Sequence, residues 1–486
     1  MKKRYSAIIL LLATVFALFC SACAQKTNYS PKMEHSLLSF YSVKDGNATT
    51  CFFADGKKLE GVIIGGIDAL RTVDGTEGFI VAANSLYRID ASGIKKIYPA
   101  AVTNAVQPIN GSAILFSSAT KVFLYENDKE DFIQLPDIEA KGIVNLAISP
   151  DGKTAGIGVL TKDGTFKTYI YSDGKTEVLG SDRVIVAVAD NNERCYYLKT
   201  SGDTVTGELH YVSGKTDKVI TENASPYFEV NRDLTEITFD VKENTHFSKN
   251  GSKGVKLTDA SILSFAGAQR ATMGGSACTT LHKNADSLIE SVFYTSITAT
   301  GSYGKKYDRY NVYYVASDIK TRKLAGGADQ FSVSEDGKNL LFLVDNKLYS
   351  MSVYNPKRVK TLATNIMNYC VGDDFSDLYL IDVYGNLQRY QNGKLSVVLV
   401  SGVDYAKRMG NGNILCYSTR LDDGTLIWLK DERANAIATN VSFFEAYENA
   451  AMYLTNYNEN EKTFDLYMSE DGVEFYLGAQ SVKVSG

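Results

Sequence analysis

A unit of about 40 residues recurs along almost the whole chain, and this period constrains the fold more than any other feature. Each copy has a Gly-containing turn, an apolar strand, a second turn, an alternating aromatic strand, a third turn and a last strand. The clearest copy spans 331–362 and opens at Asp336 and Gly337. Another opens at Asp151 and Gly152. Such units bury their apolar faces by stacking each copy on the next.

The aromatic strand marks equivalent positions in successive copies. These positions fall near Cys51, Leu86, Phe123, Tyr169, Leu209, Val312, Leu348, Leu387, Leu426 and Leu466. One step of 103 residues between them predicts a hidden copy around 237–255. Four short strands joined by tight turns in about 40 residues are typical of a propeller blade. The sequence therefore predicts an all-β fold, a β-propeller built from four-stranded blades.

The number of copies is larger than one ring usually holds. About eleven units are visible in the sequence, whereas single propellers typically have about 4 to 8 blades. Two packed propellers, over 34–262 and 263–486, would accommodate them, and so would one large irregular ring. The stretch 264–310 departs most from the repeat and is the expected junction.

Composition agrees with short strands and excludes one class of partner. The chain has only 7 prolines against 39 glycines, with 31 tyrosines and 22 phenylalanines, which favours strands joined by glycine turns. Its 51 basic and 56 acidic residues give a formal charge of −5. Because binding to a phosphate backbone needs excess positive charge, this balance excludes an electrostatic nucleic-acid binder.

The first 22 residues predict a lipoprotein signal peptide. A basic start at 2–4 precedes the apolar run 7–19, whose thirteen residues are fewer than the ~20 that span a bilayer. The small residues that follow, with Ala22 before Cys23, resemble a bacterial lipobox, which implies lipidation of Cys23. Ordinary cleavage after Ala24 is the alternative.

A lipid on Cys23 would anchor the chain without spanning the membrane. Residues 23–33 would then form a tether, and loss of Lys2, Lys3 and Arg4 would change the formal charge from −5 to −8. The expected location is the outer face of the cell membrane, or a membrane that faces a periplasm. The predicted partners are the membrane, through the anchor, and a protein or glycan, with no nucleic acid.

Two of the turns resemble a known repeat. Each turn precedes an apolar strand, and the two segments are Ser149-Pro150-Asp151-Gly152-Lys153 and Ser334-Glu335-Asp336-Gly337-Lys338. They resemble the WD-repeat-like propeller repeats of TolB-type proteins. The resemblance implies a propeller that serves as a binding platform. It implies no catalytic residues, because that repeat carries none.

Motifs for catalysis, metals and cofactors are missing from the sequence. Three Gly-Lys-Thr triplets lack the earlier glycine of a phosphate loop, and no nucleophile elbow or zinc-binding His motif occurs. The four histidines (His35, His210, His246 and His282) are scattered. Five cysteines beyond the signal have no metal-ligand spacing, and four of them lie in strand-like runs that favour buried free thiols. We therefore predict no catalytic residue, metal or cofactor.

One segment concentrates side chains suited to contact with a ligand. Three cations and three tyrosines occur in the non-repeating region, and the candidate binding residues are Tyr303, Lys305, Lys306, Tyr307, Arg309 and Tyr310. Tyrosines with basic neighbours suit carbohydrate, anionic polymer or peptide. A solvated hairpin loop is the alternative.

The repeat and the export signal together predict a function class. We expect a lipid-anchored, extracytoplasmic propeller that binds a protein or glycan without chemistry of its own. One alternative is a propeller hydrolase or lyase that acts on an envelope or extracellular polymer, with a site in a central funnel. A further alternative is an envelope assembly scaffold.

Overall fold

The structure is a computed structural model that describes residues 38–480 apart from short gaps, of which 273–286 is the longest. Its described residues form eleven sheets, numbered here in chain order. Cys23 lies outside the described residues, as do Tyr303 and Lys305.

The first six sheets use strands up to β24. Sheet 1 contains β1 (Leu38–Lys44), β2 (Asn47–Ala54), β3 (Lys57–Lys58) and β4 (Ile63–Ile64). Sheet 2 contains β5 (Ala69–Arg71), β6 (Gly78–Ala82), β7 (Ser85–Asp90) and β8 (Gly93–Tyr98). Sheets 3 and 4 contain β9 (Val102–Val106), β10 (Ile114–Ser118), β11 (Lys121–Glu126), β12 (Lys129–Ile133), β13 (Ala140–Ile148), β14 (Ala155–Thr161), β15 (Phe166–Ser172) and β16 (Lys175–Ser181). Sheets 5 and 6 contain β17 (Arg183–Val188), β18 (Arg194–Lys199), β19 (Gly207–Ser213), β20 (Thr216–Ala224), β21 (Tyr227–Val230), β22 (Glu236–Val241), β23 (Asn244–Lys249) and β24 (Val255–Thr258).

The remaining five sheets continue in the same order. Sheet 7 contains β25 (Ser264–Phe265), β27 (Val292–Thr300), β28 (Lys306–Val315) and β29 (Thr321–Ala328), and β26 (Gln269–Thr272) joins sheet 6. Sheets 8 and 9 contain β30 (Gln330–Val333), β31 (Asn339–Val344), β32 (Lys347–Ser352), β33 (Lys360–Thr364), β34 (Ile366–Val371), β35 (Asp377–Asp382), β36 (Leu387–Gln391) and β37 (Lys394–Val400). Sheets 10 and 11 contain β38 (Tyr405–Arg408), β39 (Ile414–Ser418), β40 (Thr425–Lys430), β41 (Arg433–Ala438), β42 (Phe443–Ala446), β43 (Ala450–Asn458), β44 (Thr463–Glu470) and β45 (Val473–Gln480). The described helical content is one 3₁₀ turn at Asp190–Asn192.

Successive sheets pack face to face through shared hydrophobic clusters. Phe79 of sheet 2 packs with Phe116 of sheet 3, and further clusters join each next pair as far as sheets 7 and 8. Two more clusters join sheet 9 to sheet 10 and sheet 10 to sheet 11. Four-stranded antiparallel sheets stacked in this way are propeller blades. The predicted all-β, β-propeller fold class is therefore confirmed.

The repeat positions found in the sequence have a common place in the sheets. Nine of the ten lie in the third strand, and the exception, Cys51, lies in the second strand of sheet 1. In nine sheets, the pairing of the third and fourth strands contains a register shift, as between Leu348 and Tyr349. A bulge bends the outer strand away from regular pairing. The aromatic strand therefore precedes an irregular outer strand in almost every blade.

The hidden copy and the irregular stretch both appear in sheets 6 and 7. The predicted copy at 237–255 is the β22–β24 part of sheet 6, whereas β26 leaves the repeat and pairs with β21 as a fifth strand. Sheets 6 and 7 share a hydrophobic cluster. The chain separates into one compact unit, Glu34–Ile366, and another that begins at Met367. The boundary near 262 that the repeat suggests stays a prediction. How many rings the blades form stays a prediction.

Candidate functional site

The predicted binding segment 303–310 is only partly described. Tyr303 and Lys305 lie outside the described residues, and Lys306 and Tyr307 begin β28 with side chains that are also outside them. Arg309 and Tyr310 are half-buried further along the same strand. The segment therefore continues a regular strand of sheet 7 and is not wholly a surface loop.

Arg309 and Tyr310 make contacts inside the fold. The Arg309 guanidinium lies 2.8 Å from an Asp329 carboxylate oxygen and 3.3 Å from one of Asp345, which belongs to the next sheet. The Tyr310 ring packs edge-on against Phe331, with 5.6 Å between centroids. These contacts link sheets 7 and 8, and a binding role for the segment stays a prediction.

A polar network in sheet 5 brings several titratable side chains within hydrogen-bond distance of one another. Tyr197 of β18 lies opposite His210 of β19, and their rings stack with centroids 4.5 Å apart. His210 Nδ1 is 2.8 Å from Asp217 Oδ1, and His210 Nε2 is 3.3 Å from Glu208 Oε2. The Tyr197 hydroxyl donates to Asp217 Oδ2 at 2.6 Å. Both imidazole nitrogens therefore face a carboxylate.

The negative charge of Asp217 is stabilised by its neighbours in the network. Burial by itself raises the pKa of Asp217, but hydrogen bonds from Tyr197 and His210 and the charge of Arg183 outweigh it, so the pKa is lowered. Burial and the hydrogen bond to Asp217 raise the pKa of Tyr197. Arg183 also lies over the Tyr197 ring, 4.5 Å from its centroid. At neutral pH the network holds an ionised Asp217 beside a protonated tyrosine.

Sequence reasoning missed this network because His210 was judged as an isolated residue. The signal was the hairpin between β18 and β19, whose register places Tyr197 opposite His210. The next hairpin places Asp217 opposite Val212, two residues beyond His210. Residues on one face of paired strands meet even when they are far apart in sequence.

A small cavity is lined by residues of sheets 4 and 5, and the side chains of the network are not among them. It encloses about 180 Å³ and is lined by Cys195 and Val212 of sheet 5 together with Leu179 of sheet 4. Sites for small molecules typically enclose about 300–1,000 Å³. Burial raises the pKa of the Cys195 thiol to about 12, so this cysteine is a weak nucleophile at neutral pH. The space suits water or a small ion better than a substrate.

The cysteines that the structure describes are free thiols in strands. Cys195 and Cys416 are buried and Cys370 is half-buried. Burial raises the pKa of Cys370 to about 11 and that of Cys416 further. These three match the prediction of small hydrophobic side chains.

The unit that begins at Met367 presents a second candidate site at its turns. In sheets 9 and 10, the connection between the second and third strands exposes a large side chain, and in sheet 11 the end of the second strand exposes one. The exposed fractions are 75% for Tyr384, 39% for Leu421 and 48% for Tyr457, which lies at the end of β43. Exposed tyrosines among short polar residues are typical of protein-binding loops. We call these three residues the turn face.

Two of these turns are held in a fixed geometry. Arg420 donates from Nη1 to the Tyr384 carbonyl at 2.8 Å and forms an ion pair with Asp404. Gly385 has a φ of +85°, and a Cβ there would lie 2.8 Å from Arg420 Nη1. Glycine is therefore required both for the turn and for the close approach of Arg420. Pre-organised turns lose little entropy when they bind a partner.

The described residues contain neither a metal-binding cluster nor a membrane-spanning helix. No group of three His, Cys, Asp or Glu side chains there could hold a metal ion. No helix in that part of the chain is long and apolar enough to cross a membrane.

Comparison with known proteins finds distant structural likeness. No family model matches the chain, and no curated protein matches it. Solved structures that resemble it include a eukaryotic initiation factor, at 14% identity and a TM-score of 0.38, with 85% of this chain and 95% of that one covered. Oligogalacturonate lyase from Vibrio parahaemolyticus is 10% identical with a TM-score of 0.32 (80% and 95% covered). An ancestral GH74 enzyme is 8% identical with a TM-score of 0.31 (93% of both). At these identities and TM-scores the likeness assigns no function to this chain.

Proposed function

We propose that this protein is a lipid-anchored, extracytoplasmic β-propeller that binds a protein partner. The turn face carries the proposal, because Tyr384 and Leu421 lie at the same connection of two successive blades and Tyr457 lies at the end of the strand before that connection in the next blade. Tyrosine supplies a large contact area at a small entropy cost, and neighbouring Arg420 is a residue type enriched at binding hot spots.

The choice of a protein over a glycan rests on the apolar member of the face. Leu421 is 39% exposed between the two tyrosines in chain order. A sugar can stack on an aromatic ring, whereas an aliphatic side chain gains most from an apolar side chain of a protein. A protein partner uses all three residues.

A pair of substitutions tests the turn face. In a pull-down from cell-envelope extract, we expect Tyr384→Ser with Tyr457→Ser to recover at least tenfold less of a partner that wild type enriches. Truncating a tyrosine that serves as a binding hot spot costs about 2 kcal/mol or more. Quantitative mass spectrometry of the bound fraction is the measurement.

The matched control is Val397→Ser, which changes a side chain that is 80% exposed on the outer strand β37 of the same unit. It should recover the partner as wild type does. Equal recovery by the double variant would place the binding surface elsewhere. Purified protein that recovers no partner and degrades an envelope polymer would favour an enzyme.

The second candidate function is that enzyme, and the network in sheet 5 is the observation that favours it. Tyr197, His210 and Asp217 are residue types used in acid–base catalysis, and all three are within 2.6–2.9 Å of one another. Against it, both ring nitrogens of His210 already face carboxylates, and a general base needs one free for substrate. The binding platform is therefore our first proposal.

The proposed anchor gives a separate prediction. Cells grown with labelled palmitate should incorporate label into the wild-type protein and not into Cys23→Ala, because only the cysteine sulfur can accept the lipid. Gel electrophoresis with detection of the label is the measurement. A chain cleaved after Ala24 would carry no label in either form, and label that persists in Cys23→Ala would rule out this residue as the anchor.

A further inference from the structure

Six exposed cations lie on the outer parts of sheets 7 and 8, in a protein whose formal charge is −5. Three belong to β29 and the turn before it, and three belong to the start of β33 and the segment before it. We call this group the basic patch, and its members are Lys320, Arg322, Lys323, Lys357, Arg358 and Lys360.

Two tyrosines bring the halves of the patch together. Arg322 lies opposite Tyr314 in the pairing of β28 with β29. The Tyr314 ring meets the ring of Tyr354 edge-on, with centroids 5.8 Å apart. Tyr354 begins the segment that carries Lys357 and Arg358, and two consecutive turns fold this segment back towards β33. Arg322 and the segment that carries Lys357 and Arg358 therefore lie on the same side of sheet 7.

Most of this positive charge is not neutralised by the fold. Lys320 pairs with Asp318 at 3.1 Å, and the charge of Arg322 also acts on Asp318. The carboxylate of Glu290 acts on Tyr314. Among the described residues, no ion pair involves the other five cations. Lys323 instead lies over the Tyr313 ring, 6.0 Å from its centroid. Lys357, Arg358 and Lys360 are therefore available to an external anion, and Arg322 shares the nearby charge of Asp318 with Lys320.

Apolar side chains within the patch distinguish a membrane from a soluble polyanion. Tyr354 is 51% exposed, and Val359 is 46% exposed between Arg358 and Lys360. Tyrosine and aliphatic side chains gain from the boundary between lipid headgroups and acyl chains, while Lys and Arg contact the phosphates. A soluble polyanion provides no apolar surface against which Val359 could be buried.

We propose that the basic patch binds the phosphate groups of an anionic lipid surface and so orients this unit on the membrane. A polybasic surface is a common electrostatic contact with anionic lipids, in addition to a covalent lipid anchor. The proposal goes beyond partner binding by the turn face and does not require the Cys23 anchor.

Vesicle sedimentation with a lipid-free chain tests the proposal. Residues 24–486 keep every described strand, and the probes are vesicles of phosphatidylcholine with and without phosphatidylglycerol. We expect binding only when phosphatidylglycerol is present, with affinity that falls as salt rises. Changing Arg322, Lys357, Arg358 and Lys360 to Gln should weaken binding at least tenfold.

The control changes four other exposed cations to Gln, namely Lys175, Lys215, Lys394 and Arg433. It removes the same charge and should bind nearly as wild type does. Equal weakening in both variants would show an effect of net charge and overturn the patch. Wild type that ignores phosphatidylglycerol would also overturn it.

A second arm separates a membrane from a soluble phosphate polymer. Val359→Ser with Tyr354→Ser should weaken vesicle binding severalfold and leave binding to inorganic polyphosphate unchanged. If the pair has no effect on vesicles, or if polyphosphate binds as tightly as vesicles do, the ligand is a phosphate polymer and the membrane proposal fails. Circular dichroism checks that each variant is folded.

Discussion

Replacing Glu236 by alanine should lower the free energy of unfolding of the Glu34–Ile366 unit by about 3–5 kcal/mol. The side chain is 2% exposed at the start of β22. Its carboxylate accepts from the Lys249 ammonium at 2.9 Å and from the Leu288 backbone N–H at 2.6 Å. The Ser287 hydroxyl donates to the same carboxylate.

The size of the effect follows from what the substitution leaves behind. Leu288 lies just before β27, and its N–H is buried. A buried donor without an acceptor costs about 1–3 kcal/mol, and a bond to a charged acceptor is worth more than a neutral one. Alanine removes the acceptor for Leu288 and Ser287 together. Glutamine keeps one acceptor oxygen but turns an N–H group towards another donor, so its cost should be intermediate.

Denaturant unfolding measures the change, and Glu222→Ala is the control because that glutamate is exposed on β20. The control should stay within about 0.5 kcal/mol of wild type. Hydrogen exchange should also quicken at 287–290 in Glu236→Ala. If the variant is as stable as wild type and hydrogen exchange at 287–290 is unchanged, Glu236 does not stabilise the segment before β27.

The blades could be predicted from the sequence because each is a local unit. Turn residues, strand alternation and the period together specify four antiparallel strands with short connections. The fifth strand of sheet 6 could not be predicted, since β26 pairs with β21 about 40 residues earlier in the chain and carries no repeat signal. Long-range pairing of this kind depends on the folded unit and not on a local pattern.

The candidate sites were harder to predict than the fold. Tyr303 to Tyr310 stood out by composition, yet Arg309 and Tyr310 make contacts between blades. The turn face was not singled out, because the equivalence of Tyr384 and Leu421 becomes visible only when the blades are aligned by strand. Position within a repeat, more than local composition, shows which exposed residues share a surface.

The core of the other unit gives a prediction of similar size. Replacing Trp428 by alanine should lower the free energy of unfolding by about 3–5 kcal/mol, because the side chain is 1% exposed and packs between sheets 10 and 11. Trp428→Phe should cost much less, about 1–2 kcal/mol. Among the described residues the buried indole N–H has no hydrogen-bond partner, so phenylalanine gives up no such bond.

The comparison between these two variants separates ring volume from the indole N–H. Trp428 is the chain's only tryptophan, so both variants lack tryptophan fluorescence. Their unfolding is therefore followed by far-ultraviolet circular dichroism. Val397→Ala, at a side chain 80% exposed, is the control and should change stability little. If Trp428→Phe is as destabilising as Trp428→Ala, the nitrogen contributes a bond that the packing does not explain. If both are near wild type, the contact between sheets 10 and 11 does not depend on this ring.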